Sequence, residues 1–282
     1  MIKESIVALP HTKLATLQND LTNADTTLIF VHGYLDNANS FLPMLPFFTD
    51  VNWIAVDFAG HGKSQHRSSD AHYHLLDYVF DLASLIEHLA LSNVVLVGHS
   101  LGAIVSSIVA STQASYLKGF IAIESMGPLS EPEHTSAQQI SASIQSRFKA
   151  QKAIRQPNSL KDIVKARCGV SDLNPHNAEL IMRRNLNINA DGSVEWRSDK
   201  RLRTLSPLRL TEGQALNILD SITCPRAVIL GDQGFEKVKA GIDKRKAQFK
   251  GVPLYTFAGG HHVHMDSAKE IALKINTIIN NY

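Results

Sequence analysis

The sequence predicts an α/β protein: a mostly parallel sheet of about eight strands with helices packed on both faces. Three observations lead there. Short β-branched and apolar runs, TLIFV, NVVLV, GFIAI and RAVIL, recur along the chain. They show no polar alternation, the pattern of strands covered on both faces. Between them lie segments whose apolar residues repeat every three or four positions, as in helices packed on a sheet. Third, the rhythm breaks once, over residues 128–210, where no buried strand is legible.

In chain order, strands are expected at Ser5–Leu9, Lys13–Gln18, Thr27–Val31, Asn52–Val56, Asn93–Val97, Gly119–Ile123, Arg226–Leu230 and Val252–Phe257. The first two flank Pro10–His11–Thr12 and read as a hairpin. Asp77–Leu89 places Val79, Leu82, Leu85, Ile86 and Leu89 on one helical stripe. The segment after Ser100, LGAIVSSIVAS, is apolar almost all round and should form a buried helix. Ser267–Asn280 carries Ile271, Ile275, Ile278 and Ile279 on one side. The interrupting stretch has helical patterns at Ala137–Ala153, Leu160–Cys168 and Asn177–Leu186, and a polar hairpin at Ile188–Arg197 with a turn at Asp191–Gly192. An insertion of that size with its own helices is more than a loop. Residues 1–127 and 211–282 are therefore expected to form a discontinuous core, and 128–210 a helical cap.

Composition narrows the function. The 282 residues carry 28 basic and 26 acidic side chains, a formal charge of +2, with 44% hydrophobic residues. That balance gives no argument for nucleic acid. Two cysteines, Cys168 and Cys224, are too few for a disulfide framework or a four-cysteine zinc site. The start has no apolar run of signal-peptide length, and no stretch of about 18 apolar residues occurs. A soluble, cytoplasmic protein without a membrane partner is expected. The charge is uneven: residues 128–210 hold 14 basic and 8 acidic side chains, and the remainder holds 14 and 18.

The most informative segment is VVLVGHSLGAIVSSIVA, residues 94–110. Gly98–His99–Ser100–Leu101–Gly102 fits G-x-S-x-G, with a buried strand before it and a buried helix directly after. That setting turns Ser100 sharply out from the end of a strand. The paired glycines let strand and helix approach, and the helix start offers free N–H groups. A serine that merely caps a helix needs no such glycines.

Four segments, Val31–Tyr34 (VHGY), Asp57–Ser64 (DFAGHGKS), Gly98–Gly102 (GHSLG) and Gly260–Asp266 (GHHVHMD), stand in an order that resembles the α/β-hydrolase superfamily over nearly the whole chain. The resemblance implies the α/β-hydrolase fold with a helical cap inserted after the sixth strand. The capped region and the GGHHVHM ending look most like the serine hydrolase-like proteins. The Phe120–Pro128 segment looks like the haloalkane dehalogenases.

A serine hydroxyl needs a base. The resemblance makes His261 that base, gives His264 a packing or supporting role, and leaves His262 facing solvent or the pocket. A metal reading of the three histidines is disfavoured, since no acidic or thiol partner sits at a ligand spacing. The third triad member must be a carboxylate. The family's usual position falls on Gly234, which has no side chain. Two alternatives remain: Asp232 on the same loop, and Glu124 after the sixth strand, where haloalkane dehalogenases carry their acid. Glu124 is favoured. Oxyanion donors are expected from the backbone N–H of Leu101 and, by resemblance, of Tyr34.

Serine at the elbow excludes the epoxide hydrolase and haloalkane dehalogenase reactions, which need a carboxylate nucleophile there. No phosphate-binding glycine loop is present, so no nucleotide cofactor is implied, and no other cofactor is expected. The leading expectation is an esterase acting on a small molecule through an acyl-enzyme. Cleavage of a C–C bond, thioester or lactone by the same triad is an alternative. A non-catalytic receptor is another, motivated by the acid missing at Gly234. His99, Arg183, Arg184 and Arg203 are candidates for substrate contact, with the cap arginines drawing in an anionic group.

Overall fold

The computed structural model describes residues 2–19, 24–151, 159–190 and 193–282. Its strands are β1 (Lys3–Ala8), β2 (Lys13–Gln18), β3 (Thr27–Val31), β4 (Asn52–Val56), β5 (Val94–His99), β6 (Leu117–Ile123), β7 (Leu186–Ile188), β8 (Val194–Trp196), β9 (Arg226–Gly231) and β10 (Leu254–Phe257). Eight of them form one sheet in the order β1-β2-β4-β3-β5-β6-β9-β10. β2 pairs antiparallel with β1 and β4, and every other pair in the sheet is parallel. The eight strands expected from the sequence are these eight.

The central strands are apolar throughout because both faces are covered. Every residue of β3, β4 and β5 is buried. Side chains alternate across a strand, so each strand feeds two cores. Ile29, Val31, Val94 and Leu96 join one core with Leu82 and Leu85 of α1 (Leu75–His88) and Val105 and Val109 of α2 (Leu101–Thr112). Leu28, Phe30, Val95 and Val97 join the other with Phe41 and Trp53.

Between β6 and β9 the chain runs through α3 (Ser136–Gln151), α4 (Leu160–Cys168), α5 (Pro175–Arg184), the β7–β8 hairpin and α6 (Glu212–Asp220). The two ends of this insertion meet: Ser130 bridges Leu210, and the Glu131 N–H donates to the Leu210 carbonyl at 2.9 Å. Ile163, Met182, Leu186 and Val194 make a small core of its own. Leu173, Ala178 and Ile181 pack with Met265 from the main body. The expected turn at Asp191–Gly192 and the last two residues of the expected helix Ala137–Ala153 lie outside the described residues.

Three further helices follow β9: α7 (Glu236–Lys244), α8 (Val263–Asp266) and α9 (Ala268–Ile279). α9 lays Ile271, Ile275, Ile278 and Ile279 on the second core. Helices α6 and α7 had no clear sequence signal. α6 rests on a capping box of Thr211 and Gln214, and α7 buries only Val238 and Ile242. Among the described residues, no helix is long and apolar enough to cross a membrane.

Parallel register brings the C-terminal ends of β3, β5, β6, β9 and β10 to one edge. Val31 lies beside Gly98, His99 beside Ile123, and Phe257 beside Gly231. The loops leaving these ends build the site, at the sheet edge where open α/β folds bind ligands.

Candidate active site

Ser100 joins β5 to α2 with φ 50° and ψ −113°, a strained conformation for a residue with a side chain. The surrounding backbone over-determines it. The Ser100 N–H donates to the Ile123 carbonyl at 2.9 Å, and its own carbonyl accepts from Ala103 and Ile104. Its hydroxyl makes no capping bond to α2, so it is not there as a helix cap. A side chain at Gly102 would overlap the Val31 carbonyl, and one at Gly98 would overlap the Ala103 backbone. The glycines are therefore what lets α2 start so close to β3 and β5. Leu101 is the first residue of α2, and the first N–H groups of a helix have no partner within it.

His261 follows β10. Its Nδ1 lies 3.2 Å from Oε2 of Glu124, so Nδ1–H donates to the carboxylate and Nε2 is left to accept a proton. The ring is 8% exposed as a residue and stacks on Phe235, with centroids 3.9 Å apart and planes 10° from parallel. Glu124 leaves β6 with φ 51°. Its buried carboxylate also accepts the N–H groups of Gly231 (2.8 Å) and Phe235 (3.2 Å). A side chain on Gly234 would collide with it. Asp232 is placed differently. It is exposed and accepts the Gly259 N–H at 2.9 Å, tying the loops after β9 and β10 together.

Tyr34 sits in the loop after β3, and its phenol donates to the Leu202 carbonyl of the insertion at 2.9 Å. Next to it, Leu35 lines a cavity of about 280 Å³ together with Ile163, Val170, Met182, Trp196 and Arg203. Arg203 lies 6.0 Å above the Trp196 ring. Among the described residues no carboxylate pairs with it. The other expected contact residues do not line this cavity. Arg183 is exposed and paired with Glu179. Arg184 is buried, because it spans Asp57 (2.8 Å) and Glu4 (2.6 Å). His99 is buried too, and its Nε2–H donates to the His261 carbonyl at 2.9 Å. Burial and its histidine neighbours hold the His99 pKa well below the ordinary value, so it is neutral.

Sequence spacing missed a second cluster. His262 is buried and does not face solvent. Its Nδ1 lies 2.5 Å from Asp172 Oδ1, its N–H donates to Asp172 Oδ2 at 2.8 Å, and its Nε2 lies 3.3 Å from Asp36 Oδ2. Asp36 also accepts from Arg167 at 2.7 Å. Burial works to lower the His262 pKa, but Asp36 and Asp172 outweigh it and raise it to about 9. Those carboxylates are themselves held below the usual range against burial, Asp36 by His262 and Arg167, Asp172 by His262. Asp36, His99 and His262 bring donor atoms within 4.8 Å of one another, a ligand-like grouping that the fold makes from distant residues. Asp36 in this grouping already accepts from Arg167 and faces His262, so it belongs to an ion-pair cluster with Asp172. His264 packs between Phe41 and His99, with ring centroids at 5.1 and 4.2 Å. Asp36 lies three residues after Gly33 in VHGYLDN, but nothing in the sequence marks Asp172.

A family model described as the alpha/beta hydrolase family matches residues 28–273. The chain belongs to the alpha/beta hydrolase family. A serine hydrolase-like protein of Dictyostelium discoideum is 26% identical over 88% of this chain and 73% of its own length. The crystal structure of a hypothetical protein from Pseudomonas aeruginosa PAO1 is 32% identical, covers 98% of this chain and 97% of that one, and superposes with a TM-score of 0.85. The thioesterase domain from the curacin biosynthetic pathway is 22% identical over 98% of this chain and 99% of that one, with a TM-score of 0.84, a likeness of fold alone.

Proposed function

We propose that this hydrolase-family chain is a serine esterase. Ser100 attacks the ester carbonyl, His261 takes the serine proton at Nε2 and hands it to the leaving alcohol, and Glu124 stabilises the imidazolium. Water then releases the acyl group by the same steps in reverse. The N–H groups of Leu101 and Tyr34 receive the oxyanion. One observation carries the reading: His261 Nδ1 faces the buried Glu124 carboxylate at 3.2 Å, while Ser100 holds a positive-φ elbow on the same sheet edge. The pairing orients a base, and the elbow exposes a nucleophile.

The insertion over residues 128–210 is read as the cap. Its joined ends at Ser130 and Leu210, its own small core and the cavity beside Leu35 support this. Apolar walls with Arg203 at one side suit a substrate with an apolar body and an anionic group. The receptor reading is motivated by the absent acid at Gly234; the Glu124 carboxylate beside that position favours the esterase reading over it. The test is turnover of short p-nitrophenyl esters by wild type and Ser100→Ala, with thioesters and lactones in the same panel. Loss of ester turnover in Ser100→Ala supports the reading; equal rates contradict it.

A further inference from the structure

We infer that Asp172, in the insertion, is a positioning residue for His261, so that the base stands ready only while the insertion is seated. This rests on the serine-hydrolase reading above. The peptide group joining His261 to His262 is gripped at both edges. Its carbonyl accepts from His99 Nε2 at 2.9 Å, and its N–H donates to Asp172 Oδ2 at 2.8 Å. One grip comes from the main body, at the residue before the nucleophile. The other comes from the segment between α4 and α5.

The second grip is reinforced. The other Asp172 oxygen holds His262 Nδ1 at 2.5 Å, His262 Nε2 faces Asp36, and Asp36 returns to the insertion through Arg167. The circuit links the insertion, the base loop and the loop after β3. Two glycines make room for its carboxylates. A side chain on Gly260 would overlap Asp172, and one on Gly33 would approach both Asp36 and His99. Glu124 and Phe235 hold the His261 ring, while among the described residues the peptide that follows it is held by His99 and Asp172. Tilting that peptide swings the ring off its hydrogen bond. Misplacement of about 1 Å costs on the order of a hundredfold in rate. Withdrawal of the insertion removes Asp172 and frees one edge of the peptide.

The experiment compares wild type, Asp172→Ala and Asp172→Asn. It reads the rate of Ser100 labelling by a small fluorophosphonate, and kcat and KM for a short ester. Thermal melts establish that each variant is folded. Asp172→Ala is expected to slow labelling and kcat about tenfold or more, with KM within about threefold. Asp172→Asn is expected to fall between, because its amide oxygen still accepts the His262 N–H; it also serves if the alanine variant does not fold. A residue that only braces the fold would leave the labelling rate of folded protein unmoved. Labelling of both variants within about twofold of wild type overturns this inference alone. Wild type that does not label at Ser100 overturns the hydrolase reading and this one with it.

Discussion

The Glu124 carboxylate lies where a side chain on Gly234 would have to go. In the proposed triad the acid stands at the end of β6 and not on the loop after β9, and glycine at 234 leaves room for its carboxylate. Glu124→Gln should therefore cut turnover by about a thousandfold, approaching the ~10⁴ loss seen when a triad carboxylate becomes an amide. Asp232→Asn should stay within about threefold, since among the described contacts the Asp232 carboxylate bonds only the Gly259 N–H. Steady-state kinetics on one ester decide it, and the reverse ranking would return the acid to Asp232.

The same geometry predicts that Glu124→Gly with Gly234→Asp restores part of the activity lost in Glu124→Gly. The backbone at 124 has φ 51°, which glycine adopts freely, and removing the glutamate opens the space beside residue 234. Rescue of about tenfold over the single variant is expected. No gain in the double variant, with the protein folded by circular dichroism, argues against an interchangeable acid.

The arginines of the insertion divide by surroundings. Arg184→Ala strands the fully buried Asp57 and should cost about 3 kcal/mol of stability, the low end for breaking a buried pair because Ala38 and Lys63 N–H groups still reach Asp57. Urea unfolding measures it. Arg203→Ala should leave stability alone and raise KM about tenfold for esters with an acidic group, with neutral esters within twofold. Equal KM changes for both classes remove Arg203 from substrate recognition.

The buried His262 makes stability depend on pH. Its folded pKa of about 9 exceeds the ordinary value of 6.5. Its contribution is fully present below pH 6.5 and is lost as pH rises to about 9. Asp36 and Asp172 act oppositely, since their lowered pKa values stabilise above about pH 4 and that gain is lost as pH falls. Burial and their histidine neighbours lower the pKa values of His99 and His264, so both stay neutral between 6.5 and 9. Melting temperature should fall across that window in wild type, and His262→Gln should flatten the fall. Parallel curves would show that the His262 charge is not what titrates.

Much of this was legible in the sequence because it is local. Ser100 is announced by its own glycines, strand and helix. The sheet follows from runs such as TLIFV and NVVLV, whose lack of polar alternation records burial on both faces. The rest depends on contacts between distant segments. That Glu124 and not Asp232 meets the His261 ring depends on how the ends of β6 and β9 lie beside the loop after β10. Arg184 and Arg183 are neighbours of the same type, yet one is buried on Asp57 and the other exposed on Glu179, a difference of helix face. The clamp on His262 joins Asp36 from the loop after β3, Arg167 from the end of α4 and Asp172 from the segment after it, and no short window contains it.

In the proposed mechanism Ser100 is an activated nucleophile. The most direct measurement is intact mass after fluorophosphonate treatment, followed by peptide mapping. The account predicts one adduct, on the peptide containing Ser100, absent in Ser100→Ala and strongly slowed in His261→Ala. An unmodified wild-type protein, or an adduct on another residue that persists in Ser100→Ala, would contradict it.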